Sequence, residues 1–448
     1  MNSRFAYGKW LSVLCFFLCL VSFLPPALAA ESAGEREARL GWWREGRFGM
    51  FIHWGPVSLK GTEIGWSRGA EVPAEEYDQL YRRFNPTSFD ARAWVRLAKA
   101  TGMRYIVLTT KHHDGFCLWD TKFTDYNIMR TPFHRDVVKE LAAACKKEGV
   151  VFCTYHSILD WHHPDYPLGS PGGKTEKPNP NMDRYYEYLK NQLTELITGY
   201  GPLGILWFDG EWEAPWTTQR AHALDRYLRG LQPSLIINNR IDKGRRDMAG
   251  TTAQGDFAGD YDTPEQQTGT FQTDRPWESC ITICQQWAWK PEDNLKPLKE
   301  CIQTLAVCAG GDGNLLLNVG PMPTGEIEPR QAVRLKEMGT WMLKNGRSIY
   351  GTRGGPFKPG KWGASTHRGD TIYVHVFQWP AGDLKLPAIG ASVRKARILG
   401  GGGVKVTQTG EGIWLTVPPD RRDDNDTVLE LRLAGPAADL RPVDVRME

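Results

Sequence analysis

Between Gly49 and about Gly320 the chain alternates short apolar runs with helical segments, and this alternation restricts the possible folds more than any other feature. The segment LGILWFDGEWE, from Leu203 to Glu213, shows the strand pattern clearly, because its apolar run ends abruptly at Asp209. A strand that is apolar on both faces is typical of a parallel sheet covered by helices. The predicted strands are 48–54, 104–110, 150–157, 203–209, 234–239, 278–284 and 314–319.

The segments between these strands have the apolar spacing of helices. Trp94, Leu97 and Ala98 follow the i, i+3, i+4 pattern after Asp90, and Asp136 precedes a second segment of this kind. Seven or eight βα units fit a (β/α)8-like barrel, so the sequence predicts an α/β fold of that type. An open doubly wound sheet is the alternative, but the glycine-rich phosphate-binding turn that usually follows its first strand is missing from the sequence.

After Gly351 the apolar residues recur at every second position, in short segments separated by glycine and proline. This alternation predicts antiparallel strands with one buried face. The segments are 371–379, 393–399, 403–408, 413–417 and 427–433. We therefore predict a barrel catalytic domain over 31–350 and a small antiparallel β-sandwich over 351–448.

Residues 1–30 have the features of a secretory signal peptide. Arg4 and Lys9 form a basic start, and the apolar stretch 10–24 is shorter than the roughly 20 residues of a membrane span. The small residues of Ala27-Leu28-Ala29 then provide a cleavage site. The sequence predicts an exported protein, periplasmic or secreted, that is cleaved after Ala29 or Ala30 and has no stable membrane insertion afterwards.

The composition excludes several classes of function. The formal net charge of +3 falls to +1 when the signal peptide is removed, which is too balanced for a nucleic-acid-binding protein. Two of the nine cysteines leave with that peptide, and the other seven have no CxxC spacing, which argues against a disulfide framework or a zinc site. We expect mostly free, buried thiols. The 18 tryptophans favour carbohydrate binding, since indole faces stack on the C–H faces of sugars.

Histidines follow several predicted strands, namely His53, His112, His113 and His156. Groups at the carboxyl ends of barrel strands face the active-site mouth, where a neutral imidazole can bind sugar hydroxyls. A metal site is an alternative, but adjacent histidines on an extended segment point in opposite directions and the HxH and HExxH spacings are missing. A third interpretation is that each histidine is a core residue bonded to the backbone.

Two carboxyl groups lie in apolar, aromatic sequence contexts. Asp209 ends its strand, where it could also simply cap a turn, and Glu278 follows Trp277 in RPWESC. Cleavage of a glycosidic bond needs two such groups. Arg240, after the next strand, would keep the pKa of Asp209 low. The indole of Trp277 and the charge of Asp209 would raise the pKa of Glu278, as an acid catalyst requires.

Six motifs, in this order, resemble those of the α-L-fucosidases of glycoside hydrolase family 29. They are MFIHWGP, TTKHHDGFCLWDT, TYHSILDW, LWFDGEWE, WESC and LLLNVGPMPTGEI. The resemblance extends from about Trp42 to Gly351. It implies a barrel-like catalytic domain followed by a β-sandwich. It also implies release of terminal L-fucose with retained configuration through a covalent glycosyl-enzyme intermediate, without a metal or an organic cofactor.

The same resemblance assigns roles to individual residues. Asp209 is expected to be the nucleophile and Glu278 the acid/base. Many relatives have a glutamate directly before the tryptophan matched here as Trp66, whereas this chain has Gly65, and Glu63 is the candidate to replace that contact. The residues expected to bind fucose are His53, Trp66, His112, His113, Tyr155, Trp207 and Arg240, with Trp289 near the methyl group of the sugar.

The expected substrate is thus a fucosylated oligosaccharide or glycoconjugate. Two alternatives remain open. One is a non-catalytic carbohydrate-binding protein that has kept the aromatic mouth of the barrel. The other is a retaining exo-glycosidase of the same fold that acts on a fucose-like sugar, such as a galactoside. Release of 4-nitrophenol from a series of aryl glycosides distinguishes the three possibilities.

Overall fold

A computed structural model describes residues 31–446 of the chain, except 172–174 and 253–254. The predicted signal peptide, 1–30, lies outside the described residues. In the described part of the chain, every helix is too short or too polar to cross a membrane.

The larger, N-terminal part of the molecule is built on a sheet of seven parallel strands in the order β5-β4-β3-β2-β1-β9-β8. Each predicted strand is present, and most of their residues are buried, as expected for strands covered on both faces. The strands of this sheet are β1 (Phe48–Ile52), β2 (Tyr105–Lys111), β3 (Val151–Ser157), β4 (Ile205–Asp209), β5 (Ile236–Ile237), β8 (Glu278–Thr282) and β9 (Asn314–Val319). A short antiparallel ribbon, formed by β6 (Arg245–Arg246) and β7 (Thr251–Thr252), lies between β5 and β8 along the chain and is not part of the sheet.

An extended segment, 260–266, lies between the two edge strands of this sheet. The backbone N–H of Asn239, just after β5, donates to the carbonyl oxygen of Tyr261 at 2.9 Å. On the other side, the N–H of Glu278 donates to the carbonyl of Asp262 and that of Cys280 to the carbonyl of Pro264, both at 2.9 Å. The segment thus takes the place of an eighth strand, and the prediction of a (β/α)8-like barrel is confirmed.

The helices are α1 (Ala33–Gly46), α2 (Ala74–Tyr77), α3 (Ala91–Thr101), α4 (Val137–Glu148), α5 (Met182–Gly199), α6 (Thr218–Leu231), α7 (Leu298–Gly310) and α8 (Pro329–Asn345). The helices α3 to α8 pack against the outside of the sheet. In contrast, α1 lies at the amino end of the barrel, where Leu40 and Trp43 pack into its interior. Asp90 and Asp136 are N-caps, as predicted: their carboxylates accept from the backbone N–H of Arg92 at 2.8 Å and of Lys139 at 2.9 Å. These caps satisfy N–H groups that have no partner within the helix.

The C-terminal part contains two antiparallel sheets, in the orders β10-β11-β12-β17-β14 and β13-β16-β15. Between them lies a second hydrophobic core that includes Ile372, Val374, Leu415 and Leu431. The strands are β10 (Arg353–Gly354), β11 (Gly363–Arg368), β12 (Thr371–Val376), β13 (Leu384–Leu386), β14 (Val393–Ile398), β15 (Lys405–Thr409), β16 (Gly412–Thr416) and β17 (Thr427–Leu433). The five predicted strands are present, whereas β10, β11 and β13 were not predicted.

Candidate active site

A cavity of about 320 Å³ opens at the carboxyl ends of the barrel strands. Its wall combines aromatic and charged side chains from most of the strand ends and from the ribbon β6–β7. The cavity is lined by Phe51, His53, Trp66, His112, Tyr155, Trp207, Asp209, Trp212, Arg240, Arg245, Asp247, Met248, Glu265, Cys280 and Trp287. Its position is that of the active site in (β/α) barrels.

Asp209 is the last residue of β4, and its carboxylate points into this cavity. Arg240 donates to its Oδ1 at 2.8 Å, and the hydroxyl of Tyr155 donates to its Oδ2 at 3.1 Å. Burial is the largest single effect on the pKa of Asp209 and raises it, but the charge and hydrogen bond of Arg240, together with the other neighbouring groups such as Arg245, outweigh burial and lower the pKa. The structure therefore presents Asp209 as an ionised carboxylate with fixed orientation.

Three of the four histidines predicted at the mouth of the barrel lie there. His53 and His112 line the cavity, and Nε2 of His113 lies 3.5 Å from Oδ2 of Asp209. Burial lowers the pKa of His53 to about 3 and that of His113 to about 4, so both rings are neutral at physiological pH. Over the described ranges, no group of three or more histidine, cysteine, aspartate or glutamate side chains is arranged to hold a metal ion.

His156 points away from the cavity. Its Nδ1 lies 3.1 Å from the hydroxyl oxygen of Thr110, and its ring packs against Trp119, so it is a core residue bonded to its neighbours. The interpretation as a core histidine therefore holds for His156 and not for His53, His112 or His113.

The structure does not bring Glu278 to the cavity. Glu278 is the first residue of β8 and Asp209 the last residue of β4, so the two lie at opposite ends of parallel strands. Cys280, two residues further along β8 and hence on the same face, lines the cavity, and Glu278 lies one side chain deeper. The carboxylate accepts instead from Nε1 of Trp43 at 2.9 Å and from the hydroxyl of Tyr105.

Glu278 is fully buried in this floor of the barrel. Burial raises its pKa to about 7, against the opposing effect of the aromatic donors. The direction of the pKa shift agrees with the sequence-based expectation, but the position is wrong for an acid/base catalyst, which must reach the glycosidic oxygen. The assignment of that role to Glu278 is therefore corrected.

Glu265 takes the place that had been expected of Glu278. It lies in the closing segment 260–266, lines the cavity, and accepts from Nη2 of Arg240 at 2.7 Å. Arg240 binds Asp209 through its other terminal nitrogen, so one guanidinium holds both carboxyl groups. Sequence reasoning missed Glu265 because the segment DTPEQ has no strand pattern, and nothing in the sequence distinguishes this carboxyl group from the neighbouring Asp260 and Asp262.

Two further expectations concern the pocket wall. Trp287, not Trp289, lines the cavity, where its ring lies 4.8 Å from that of His53. A single residue, Ala288, separates the two tryptophans, in a loop whose course the sequence does not specify. Glu63 does not face the cavity either: its carboxylate accepts from the backbone N–H of Trp287 at 2.8 Å and of Ala288 at 3.0 Å.

Gly65 explains why a glutamate cannot precede Trp66 here. Its φ of +68° is left-handed, and a Cβ atom at this position would lie 2.8 Å from Nδ1 of His112 and 3.2 Å from Cβ of His113. The backbone of Gly65 thus packs directly against the two histidines, which leaves no space for a side chain.

The remaining predicted residues lie where they were expected. Trp66 and Trp207 line the cavity, and the guanidinium of Arg240 lies 4.7 Å from the centre of the Trp207 ring. Trp212 and Met248 were not predicted. Together with Trp66 they form an apolar rim, with 42%, 41% and 44% of Trp66, Trp212 and Met248 exposed. Exposed aromatic surface of this kind is typical of a binding site.

The two acidic residues that follow Asp209, Glu211 and Glu213, form hydrogen bonds with side chains around the cavity. Oε1 of Glu211 accepts from Nε of Arg245 at 2.7 Å, and Glu213 accepts from the indole N–H of Trp161 at 3.1 Å and from the hydroxyl of Tyr166. Neither lines the cavity. All seven cysteines after the predicted signal peptide are buried and free, as expected.

A barrel whose carboxyl end presents an aromatic cavity with a pair of carboxyl groups defines the class of glycoside hydrolases. Comparison with known proteins identifies the family. The model of the family described as Alpha-L-fucosidase matches residues 29–347, and the chain belongs to this family. It is accordingly a glycoside hydrolase of the α-L-fucosidase type, whose substrate class is the fucosylated glycans.

Individual relatives agree with this result. The chain is 30% identical to the tissue alpha-L-fucosidase of Homo sapiens over 84% of either chain. Among solved structures, alpha-L-fucosidase isoenzyme 1 from Paenibacillus thiaminolyticus is 36% identical, with a TM-score of 0.81 over 89% of this chain and 99% of that one. A GH29 alpha-L-fucosidase from Bacteroides thetaiotaomicron, trapped as a covalent intermediate with 2-fluoro-fucosyl fluoride, is 30% identical, with a TM-score of 0.80 over 89% of this chain and 96% of the other.

Proposed function

We propose that this chain is an exported, retaining exo-α-L-fucosidase in which Asp209 is the nucleophile and Glu265 the acid/base. The observation that carries the proposal is the shared guanidinium of Arg240, which holds both carboxyl groups at one cavity. Retaining glycosidases need two carboxyl groups about 5–5.5 Å apart, and two groups bound to the same guanidinium are compatible with that spacing. The covalent intermediate trapped in the Bacteroides relative supports the same mechanism.

Asp209 would attack the anomeric carbon of fucose. Arg240 and Tyr155 bind one oxygen each, which keeps the carboxylate ionised and fixes its plane without blocking the remaining lone pairs. Attack forms the glycosyl-enzyme and requires a proton on the departing oxygen. Asp209 thus supplies the nucleophile, and the proton must come from a second group.

Glu265 would supply that proton. For this step Glu265 would give up its hydrogen bond from Arg240 when the substrate binds and take up a proton from solvent at the open side of the cavity. After proton transfer to the glycosidic oxygen, Glu265 is a carboxylate again and can activate the water that hydrolyses the intermediate. The exposed side of the cavity at Glu265 gives this water access, because the Glu265 side chain retains 18% of its surface.

The neutral rings of His53, His112 and His113 would bind the sugar hydroxyls. Nε2 of His113, which lies 3.5 Å from Oδ2 of Asp209, is buried without a protein hydrogen-bond partner, as expected of a group reserved for a ligand. The rim of Trp66, Trp212 and Met248 would contact the part of the glycan that carries the fucose. Access from one open side favours removal of a terminal sugar.

Export rests on the signal-like segment 1–30. The first helix is capped by Ser32, whose hydroxyl accepts from the N–H of Glu35, so cleavage after Ala29 or Ala30 would leave this cap intact. The mass of the mature protein, recovered from the periplasm or the medium, tests the prediction. A protein that retains residues 1–30 in the cytoplasm would contradict it.

The activity is tested with 4-nitrophenyl α-L-fucoside, with the matching galactoside and xyloside as controls. We expect hydrolysis of the fucoside with release of α-L-fucose as the first product, followed by proton NMR of the anomeric signal. First release of β-L-fucose would refute the retaining mechanism. Binding of fucose without turnover would identify a carbohydrate-binding protein instead, and faster hydrolysis of the galactoside would identify a different glycosidase.

A further inference from the structure

The main chain of Trp287 is held from both sides. On one side its N–H donates to Oε2 of Glu63 at 2.8 Å. On the other its carbonyl oxygen accepts from Nδ2 of Asn318, in the LLLNVGP motif, at 2.8 Å. The two loops also pack closely, since a Cβ atom on Gly61 would lie 2.6 Å from Cδ of Pro291. Trp287 is therefore fixed by its backbone as well as by its ring.

The contact to Trp287 determines how Asn318 is oriented. A carbonyl oxygen can only accept, so the amide nitrogen of Asn318 must face Trp287, and Oδ1 must face the other way. That oxygen lies 2.7 Å from Nδ1 of His53. Since Oδ1 can only accept, Nδ1 of His53 must carry the proton. In the neutral ring, Nε2 then has a free lone pair.

We propose that Glu63 and Asn318 are positioning residues that act through the main chain of Trp287 and fix His53 as its Nδ1–H tautomer, so that Nε2 accepts a hydrogen bond from a hydroxyl group of the sugar. The inference rests on the proposed function and adds how one recognition group is set. It also gives Glu63 a role: in place of a direct contact to the sugar, its carboxylate anchors the wall against which His53 packs.

The surroundings of His53 keep the ring neutral. The titratable groups that face it are His112 and His113 after β2, Tyr155 on β3 and Asp209 at the end of β4. Burial dominates and lowers the pKa of His53, while Asn318 and Asp209 act in the opposite direction. An aspartate at position 318 would add a second negative charge at Nδ1, raise the pKa of His53, and make Nε2 a donor in place of an acceptor.

Asn318→Asp is therefore the informative variant. We expect about a tenfold lower kcat/KM for 4-nitrophenyl α-L-fucoside at neutral pH, equivalent to one lost hydrogen bond, and an acidic limb of the pH profile that moves to higher pH. Asn314→Asp is the matched control. Asn314 is buried on the same strand and donates to the carbonyl of Trp43 at 2.8 Å, at the floor of the barrel. It should lose thermal stability without moving the acidic limb.

Glu63→Gln tests the other side of the network with a substitution of the same shape. The carboxylate accepts from the backbone N–H groups of Ile64, Trp287 and Ala288. An amide nitrogen cannot accept, so at least one of these N–H groups loses its partner, and we expect KM to rise several-fold with a smaller change in kcat. Because Glu63 and Asn318 act through the same main chain, Glu63→Gln combined with Asn318→Ala should lose less than the product of the two single effects. Strictly multiplicative losses would contradict the coupling.

The tautomer itself can be read without activity. Long-range ¹⁵N–¹H NMR of histidine-labelled full-length protein, with His53→Gln for assignment, should show His53 protonated at Nδ1 alone, and at both nitrogens in Asn318→Asp. Protonation of His53 at Nε2 in the wild type would overturn the inference. An inactive wild type with the expected tautomer would refute the proposed function and with it the contact to the sugar, but would leave the positioning of His53 by Asn318 standing.

Discussion

Two buried carboxyl groups on the same sheet, Asp209 and Glu278, have opposite environments. Asp209 lies at the carboxyl end of β4 and accepts a hydrogen bond from Arg240, and its pKa is lowered. Glu278 lies at the amino end of β8 and accepts hydrogen bonds from aromatic side chains, and its pKa is raised. Both are buried in aromatic surroundings, so burial alone does not distinguish a catalytic group from a structural one. Two other features distinguish them: the end of the strand at which the group lies, and the presence of a cation beside it.

The largest effect should come from Asp209. Asp209→Gly removes the proposed nucleophile, and we expect kcat to fall by on the order of 10⁴-fold or more. Added azide should restore part of the activity and yield the β-fucosyl azide, which mass spectrometry and NMR identify. Asp256→Asn, at a side chain that is 96% exposed, is the control and should behave as the wild type. Wild-type turnover in Asp209→Gly would show that Asp209 is not a catalytic group and would remove the contrast with Glu278.

Substitution of Glu265 should give the next largest effect. In Glu265→Ala we expect kcat/KM to fall by roughly 10²–10⁴-fold on natural glycans, because these have poor leaving groups that need a proton. The loss should be much smaller on 2,4-dinitrophenyl fucoside, and azide should rescue it with retained configuration. If Glu278→Gln shows this leaving-group dependence and Glu265→Ala does not, the roles given to the two residues are reversed.

Glu278→Gln should act mainly on stability. The amide cannot accept from all of the donors around the carboxylate, and one buried donor without a partner costs about 1–3 kcal/mol. Urea unfolding followed by circular dichroism measures this difference. Since Glu278 does not touch the cavity, the ratio of activities on good and poor leaving groups should stay at its wild-type value.

The two carboxyl groups should also respond oppositely to pH. Burial raises the pKa of Glu278 to about 7 in the folded protein, above the ordinary value of 4.5, so its contribution to stability is complete below about pH 4.5 and is lost as the pH rises to 7. The pKa of Asp209 is lowered, so its contribution is present above 3.8 and is lost as the pH falls. Unfolding free energies of the wild type and Glu278→Gln between pH 4.5 and 8 should therefore converge with rising pH. A constant difference would contradict the raised pKa.

Much of the fold could be predicted from the sequence, since buried parallel strands leave continuous apolar runs, as in Ile205–Asp209. The strand Gly363–Arg368 has only small and polar residues, GASTHR, and is buried through its close approach to α7, where a Cβ atom on Gly310 would lie 2.8 Å from that of Ala364. Such a tertiary contact leaves no periodic pattern in the sequence.

The site was predictable wherever a residue ends a strand. Asp209 and His53 follow their strands directly, and both reach the cavity. The same rule argues against Glu278, because the predicted strand 278–284 begins at that residue and does not end there. Glu265 and Trp287 lie in segments whose paths are set by long-range hydrogen bonds, to β8 and to Glu63, so their places could be learned only from the structure.

The closing segment 260–266 has two roles, one in the structure of the barrel and one in the proposed reaction. It completes the ring of the barrel, and it also carries the proposed proton donor, Glu265. Any fluctuation that opens this seam removes half of the bond-cleaving machinery while most of the helices and strands persist. On heating, turnover should accordingly fade before the global melting transition, and substitutions in the seam should change the temperature optimum more than the melting point.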